Sequence, residues 1–157
     1  MIWSTEVESQ DCAFCAQEAG AGTHEVVEST PLFRLGLAPS HDVPGWLLLW
    51  SRRHSEGPAA LTDDEAAELG RQIKRVSRAL CSAMETEKVY VAWLGENHPH
   101  FHVLFAARTA AMRRQRGPRL LDNFESFRDA AAASVVAAAV RVQLADGGAA
   151  PAPSERN

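Results

Sequence analysis

The sequence predicts an α+β fold: an antiparallel sheet of about five strands, one long helix packed on it, and a C-terminal helix. Three observations carry this. Short β-branched, leucine-rich or aromatic runs bounded by turn residues occur at "EVVESTPLFRLGL", "WLLLW", "KVYVAWL" and "HFHVLFA". A capped amphipathic stretch opening at "TDDE" separates the second run from the third. An Ala-rich segment at 122–144 follows the last run. Strands, helix, strands, helix is the order of an α+β domain.

Taken in turn, the first run reads as a strand or a hairpin pair, with Phe33, Leu35 and Leu37 alternating. Pro39, Pro44 and Gly45 then mark a loop. The continuous apolar run from Trp46 to Trp50 suits a strand covered on both faces, and the polar "SRRHSEGP" ends it. Thr62 and Glu65 predict a capping box. The helix behind it, running to about Thr86, places Leu69, Ile73, Val76, Leu80 and Met84 on one stripe. "KVYVAWL" and "HFHVLFA", joined by the turn "GENHP", predict an antiparallel hairpin. The last helix is expected from about Asp122 to Leu144, with Phe124, Phe127, Val135 and Val136 as its apolar contacts. A single domain over 1–145 and a disordered tail over 146–157, rich in Gly, Ala and Pro, complete the reading.

The chain has 157 residues, enough for one domain with a real core. Its 46% hydrophobic and 23% charged composition is that of a globular protein. A net charge of −4 and a pI of about 5.8 leave no footprint for duplex nucleic acid or an anionic membrane. The local basic run "RRQR" at 113–116, followed by Arg119, reads as a solvated loop. No apolar run approaches the ~20 residues that span a bilayer. The acidic N-terminal "MIWSTEVESQD" lacks the form of a signal peptide, so a cytoplasmic protein is expected. Three cysteines argue against a disulfide framework. Cys81 falls on the apolar side of the capped helix and reads as packing.

Half of the six histidines fall in "HPHFH", at 98, 100 and 102. On a strand these share one face, and Phe101, Val103 and Phe105 share the other, which is the core face. Residues two apart are separated by roughly 6.6 Å along a strand, so three imidazoles on one ion would be strained. Pro99, lacking an N–H for the ladder, belongs at a strand entrance and sets His98 apart from His100 and His102. The pair Cys12 and Cys15 needs two further ligands to close a tetrahedral zinc site, with His24, His41, His54 and His98 as candidates. A site of Cys12, Cys15, His54 and His98 would tie the N-terminal segment to the sheet and be structural. The bland alternative is a pair of free thiols.

The pattern "HPHFHVL" resembles the histidine triad (HIT) motif. "DCAFC" resembles the frequent C-x-F-C opening of that family, and "VPGWLLLWSRRH" resembles its P-G strand, with His54 at the closing histidine. The likeness covers roughly 12–108. The "HPH" core also resembles galactose-1-phosphate uridylyltransferase, a relative of the same fold. That likeness implies structural zinc on Cys12, Cys15, His54 and His98, with His100 as nucleophile.

The resemblance implies an enzyme that attacks the α-phosphate of a dinucleoside polyphosphate or nucleoside phosphoramidate. His100 would form a nucleotidyl-histidine, His102 would donate to phosphate oxygens, and Asn97 would contact phosphate. It further implies a homodimer. A histidine at 102, where the transferase has Gln, favours the hydrolase side. A non-catalytic nucleotide- or partner-binding protein with the same zinc is the alternative. Two departures stand out. No acidic residue occupies the expected ribose-binding position, where Ala38 falls, and Asp42 lies inside the turn. The usual "H-h-h-P-R" (h apolar) is replaced by "HVLFAAR", with Arg108 displaced.

Overall fold

In a computed structural model of the chain, residues 12–37, 42–95, 98–112 and 119–147 are described. The order is α1 (Ala13–Glu18), β1 (Glu25–Ser29), β2 (Phe33–Leu37), β3 (Trp46–Ser51), α2 (Asp63–Met84), β4 (Val89–Ala92), β5 (His102–Ala107), α3 (Arg119–Asp122) and α4 (Ala130–Ala145). The five strands form one antiparallel sheet in the order β1-β2-β3-β5-β4, the α+β architecture expected. Asn97, Ala38, His41, the 113–116 basic run and the tail beyond 147 lie outside the described residues. Among the described residues no helix is long and apolar enough to cross a membrane.

β3 is buried along its whole length because both faces of the sheet are covered. Leu47 and Leu49 join Phe101, Val103 and Phe105 under α2 and α4. On the opposite face Trp46 packs with Met112, Phe124 and Phe127, while Leu48 and Trp50 pack with Phe14 of α1. The expected stripe of α2 meets the first layer, with Val76 and Leu80 fully buried and Leu69, Ile73 and Met84 packed beside them.

The capping box of α2 is complete. Glu65 N donates to Thr62 Oγ1 at 3.2 Å, and Thr62 N donates to Glu65 Oε2 at 2.8 Å. Glu65 does more than cap, since Arg53 Nη2 meets the same carboxylate at 2.6 Å and also donates to Ala60 O. That buried carboxylate is held below its usual pKa, first by Arg53 and then by the Thr62 backbone. The start of the long helix therefore fastens the loop after β3, which carries His54.

The single C-terminal helix expected from Asp122 is in fact broken. Asp129 adopts an extended backbone (φ −155°, ψ 95°) and caps a new helix, its side chain accepting from Ala132 N at 3.0 Å. Arg128 reaches back to Asp42 at 2.6 Å, which fixes the break. Phe124 and Phe127 thus serve the Trp46 layer and not a helix stripe. On α4, Val136 packs against the core, but Val135 is 70% exposed. Arg141 of α4 donates to the carbonyls of Val26 and Val27 beside the irregularity in β1, covering that edge of the sheet.

Thr62→Ala is expected to cost about 1 kcal/mol of stability as a lost N-cap. Glu65→Ala should cost more, because it removes the box and leaves Arg53 unpaired. Urea unfolding of the two variants checks the order.

Candidate functional site

α1 is short, and its sequence places the metal-type ligands at its start. Cys12 is the residue before the helix and Cys15 lies in its first turn, so both thiols point to one side. Glu18, at the other end of the helix, pins it to the sheet. Its carboxylate meets Arg34 at 3.0 Å and Arg52 at 2.8 Å and accepts from Trp50 Nε1 at 3.3 Å.

Cys12, Cys15, His54 and His100 converge, with one donor atom from each lying within 4.8 Å of all the others. Cys12 Sγ is 3.3 Å and Cys15 Sγ 3.5 Å from His100 Nδ1, and Cys15 Sγ is 3.2 Å from His54 Nδ1. Ligands on a tetrahedral zinc with ordinary bond lengths are separated by roughly 3.6 Å between sulfur and nitrogen. The four residues fit a structural zinc ion, which would crosslink α1, the loop after β3 and the strand entrance. Burial, reinforced by the Cys12 thiol, pushes the Cys15 thiol up to about 11. A bound cation would relieve that crowding by taking the place of the Cys15 proton.

Three of the four expected ligands are thus brought together, but the fourth is His100 and not His98. The reason lies in the strand entrance. His100 forms a bridge with Glu56 and is fully buried, whereas His98 stands two residues earlier and is exposed. His100 Nε2 donates to Ser51 O at 2.7 Å, leaving the Nδ1 lone pair toward the thiols. This is the outer bond that fixes the tautomer of a metal-ligating histidine. Both ring nitrogens of His100, the nucleophile expected from the resemblance, thus face partners: Nε2 the Ser51 carbonyl and Nδ1 the two thiols.

His102, two residues on, keeps one nitrogen unengaged. Its Nδ1 lies 2.8 Å from His100 O, so Nδ1 carries the proton and Nε2 is unengaged among the described residues. Burial in the first place, with His98 contributing, lowers its pKa, which favours the neutral ring. The side chain is half-buried against Phe14, with ring centroids 5.2 Å apart.

The displaced arginine now finds its place. Counting back from Arg108 with the family spacing, the three histidine positions fall on His100, His102 and Leu104. On that spacing, which the resemblance alone supplies, the three alternating histidines would run two residues ahead of the motif's three positions. Arg108 was the signal in the sequence that could have revealed it. Asp42, the one acid near the missing ribose-binding position, is engaged by Arg128.

Comparison with solved structures gives the class of protein. A histidine triad protein from Bradyrhizobium japonicum superposes with a TM-score of 0.63 at 25% identity, covering 90% of this chain and 98% of that one. A zinc-bound histidine triad protein from Mycobacterium smegmatis gives 0.65 at 17% identity, over 88% and 99%. A hypothetical histidine triad nucleotide-binding protein from Sulfolobus tokodaii gives 0.67 at 17%, over 86% and 93%. No family model matches the sequence, and neither does any curated protein. The chain has the histidine triad fold. Its Cys/His cluster fits a structural zinc.

One zinc per chain is expected by atomic absorption, lost in Cys12→Ala and in His100→Ala and retained in His98→Ala. Its affinity should fall about tenfold for each unit the pH is lowered, per proton displaced, since the Cys15 thiol, with its pKa pushed up to about 11, is protonated at neutral pH. A competition titration with a chromophoric chelator at pH 6, 7 and 8 reads that slope.

Proposed function

We propose that the chain is a nucleotide hydrolase or nucleotidyl transferase in which Nε2 of His102 attacks an α-phosphate. One observation supports this above the others: the Nδ1 contact to His100 O, which leaves a neutral, half-buried ring with its lone pair free at the site mouth. In the first step the P–N bond to Nε2 forms and the bond from phosphorus to the leaving group breaks. The electron pair goes with the leaving group, which takes a proton from solvent. In the second step water or an acceptor hydroxyl attacks phosphorus, the P–N bond breaks, and the proton passes to solvent. Covalent catalysis of this type divides one hard displacement into two.

The other residues have supporting roles in this reading. His100, Cys12, Cys15 and His54 hold the zinc, which supplies rigidity at the carbonyl that orients His102. Asn97, next to the strand entrance in sequence, remains a candidate phosphate contact. The preference for a hydrolase rested on a third motif histidine; with Leu104 at that position it loses its basis. Leu104 also favours a second reading, a nucleotide-binding protein without turnover.

A homodimer is proposed through β4, the terminal strand of the sheet, whose far side has no strand neighbour among the described residues. Val91 (38%), Trp93 (41%) and Leu94 (58%) are exposed there. An uncovered strand edge with apolar side chains is a surface for pairing.

Mass spectrometry after incubation with adenosine 5′-phosphoramidate and diadenosine polyphosphates is expected to find a nucleotide adduct on His102. His102→Ala should abolish both adduct and turnover. An adduct on His100 would overturn the assignment, and nucleotide binding with neither adduct nor turnover would establish the second reading. Sedimentation of Val91→Lys should show a monomer where the unmodified chain sediments as a dimer.

A further inference from the structure

The two imidazoles of the metal cluster differ in their outer contacts. His100 has a partner, Ser51 O at 2.7 Å, on the nitrogen that faces away from the thiols. His54 turns Nδ1 toward Cys15 Sγ at 3.2 Å, so its outer nitrogen is Nε2. That atom is buried and has no hydrogen-bond partner among the described residues. A neutral imidazole that gives Nδ1 to a metal keeps its proton on Nε2. A buried N–H without an acceptor is costly, so the metal-bound ring needs one.

Glu56 is the group in reach. Its Oε1 lies 3.8 Å from His54 Nε2, an ion-pair distance longer than a hydrogen bond. The backbone brings it there. Residue 56 pairs with residue 100 in an antiparallel bridge, and Phe101 N donates to Ser55 O at 2.6 Å. The segment 54–56 is thereby laid against the strand entrance, and Gly57, with φ +79°, then turns the chain. Arg53 Nη1 donates to the carbonyl of His54 at 3.3 Å and fixes that residue from its other side. The Glu56 side chain is 43% exposed and has no other polar partner among the described residues.

We propose that Glu56 is a positioning residue of the metal cluster: its carboxylate accepts the Nε2–H of His54 and so fixes that ring as a zinc ligand. The proposal rests on zinc being held by Cys12, Cys15, His54 and His100. A hydrogen bond at the outer nitrogen selects the tautomer whose lone pair is on Nδ1, and it makes that nitrogen the stronger donor to a metal. A charged acceptor strengthens the effect over a neutral carbonyl. Because the bridge ties the backbone of Glu56 to that of His100, one short segment sets both imidazoles.

The test uses the full, zinc-loaded chain and competition with a chromophoric chelator at one pH. Glu56→Ala is expected to weaken zinc binding between about ten- and a hundredfold, and Glu56→Gln, which keeps an acceptor oxygen, by less. Asp146→Ala, which removes an exposed carboxylate at the end of α4, should leave the affinity unchanged. Proton–nitrogen correlation spectra of the imidazoles give a second reading. The Nε2–H of His54 should be visible in the unmodified chain and broadened by solvent exchange in Glu56→Ala. Unaltered zinc affinity in Glu56→Ala would overturn the proposal. So would a weakened affinity with the His54 Nε2–H signal unchanged, which would assign Glu56 to loop packing, and so would equal losses in the Gln and Ala variants. If the unmodified chain takes up no zinc, the metal site falls and this inference with it. Zinc held at full strength by Glu56→Ala removes this inference alone.

Discussion

Much of the site hangs on the bond from His100 Nε2 to Ser51 O. That one contact settles which imidazole nitrogen keeps its proton and so which one faces the two thiols. It also fixes the backbone of residue 100, whose carbonyl in turn orients His102. A ring with both nitrogens in use cannot rotate without breaking contacts on two sides. The metal-type cluster and the His102 ring are therefore consecutive links of one rigid series, passed along two residues of a strand.

The parts of that series are held from a distance by ion pairs. Exposed pairs contribute little stability by themselves, but here they determine position. Glu18 joins α1 to β2 and to the end of β3 through two arginines, which sets the height of Cys12 and Cys15 above the sheet. Glu65 joins the first turn of α2 to Arg53, the neighbour of His54. Each carboxylate sits on a helix and each guanidinium on or beside a strand. The sheet thus receives its ligand-bearing segments at defined places.

Most of the fold was legible in the sequence because it depends on short-range pattern. The capping box, the buried run at Trp46 to Trp50 and the alternation of Phe101, Val103 and Phe105 all appear as the residue types require. The roles of the histidines were less legible, for a reason built into strands. Alternation repeats every two residues, so a shift of two leaves every side chain on the same face and no hydrophobic pattern registers it. What separated His98 from His100 here was the tertiary contact of His100 with Ser51 and the thiols, which no local pattern records. His24, a candidate zinc ligand by sequence, stands outside the cluster because Gln17, Phe14 and Trp50 hold it elsewhere through the tertiary fold. The break before α4 was hidden by composition, as neither Gly nor Pro interrupts 122–144 and Asp129 alone marks the cap.

The two borders of the sheet are finished differently. At β1 the guanidinium of Arg141 occupies carbonyls that an incoming strand would need, and the register irregularity there spoils the fit of a regular ladder. At β4 no such stopper is present among the described residues. A sheet that accepts a neighbour on one side only can be extended once: two copies meeting through that side use up the available edge. Growth through a single open edge would be self-terminating, ending at a pair and not a fibre.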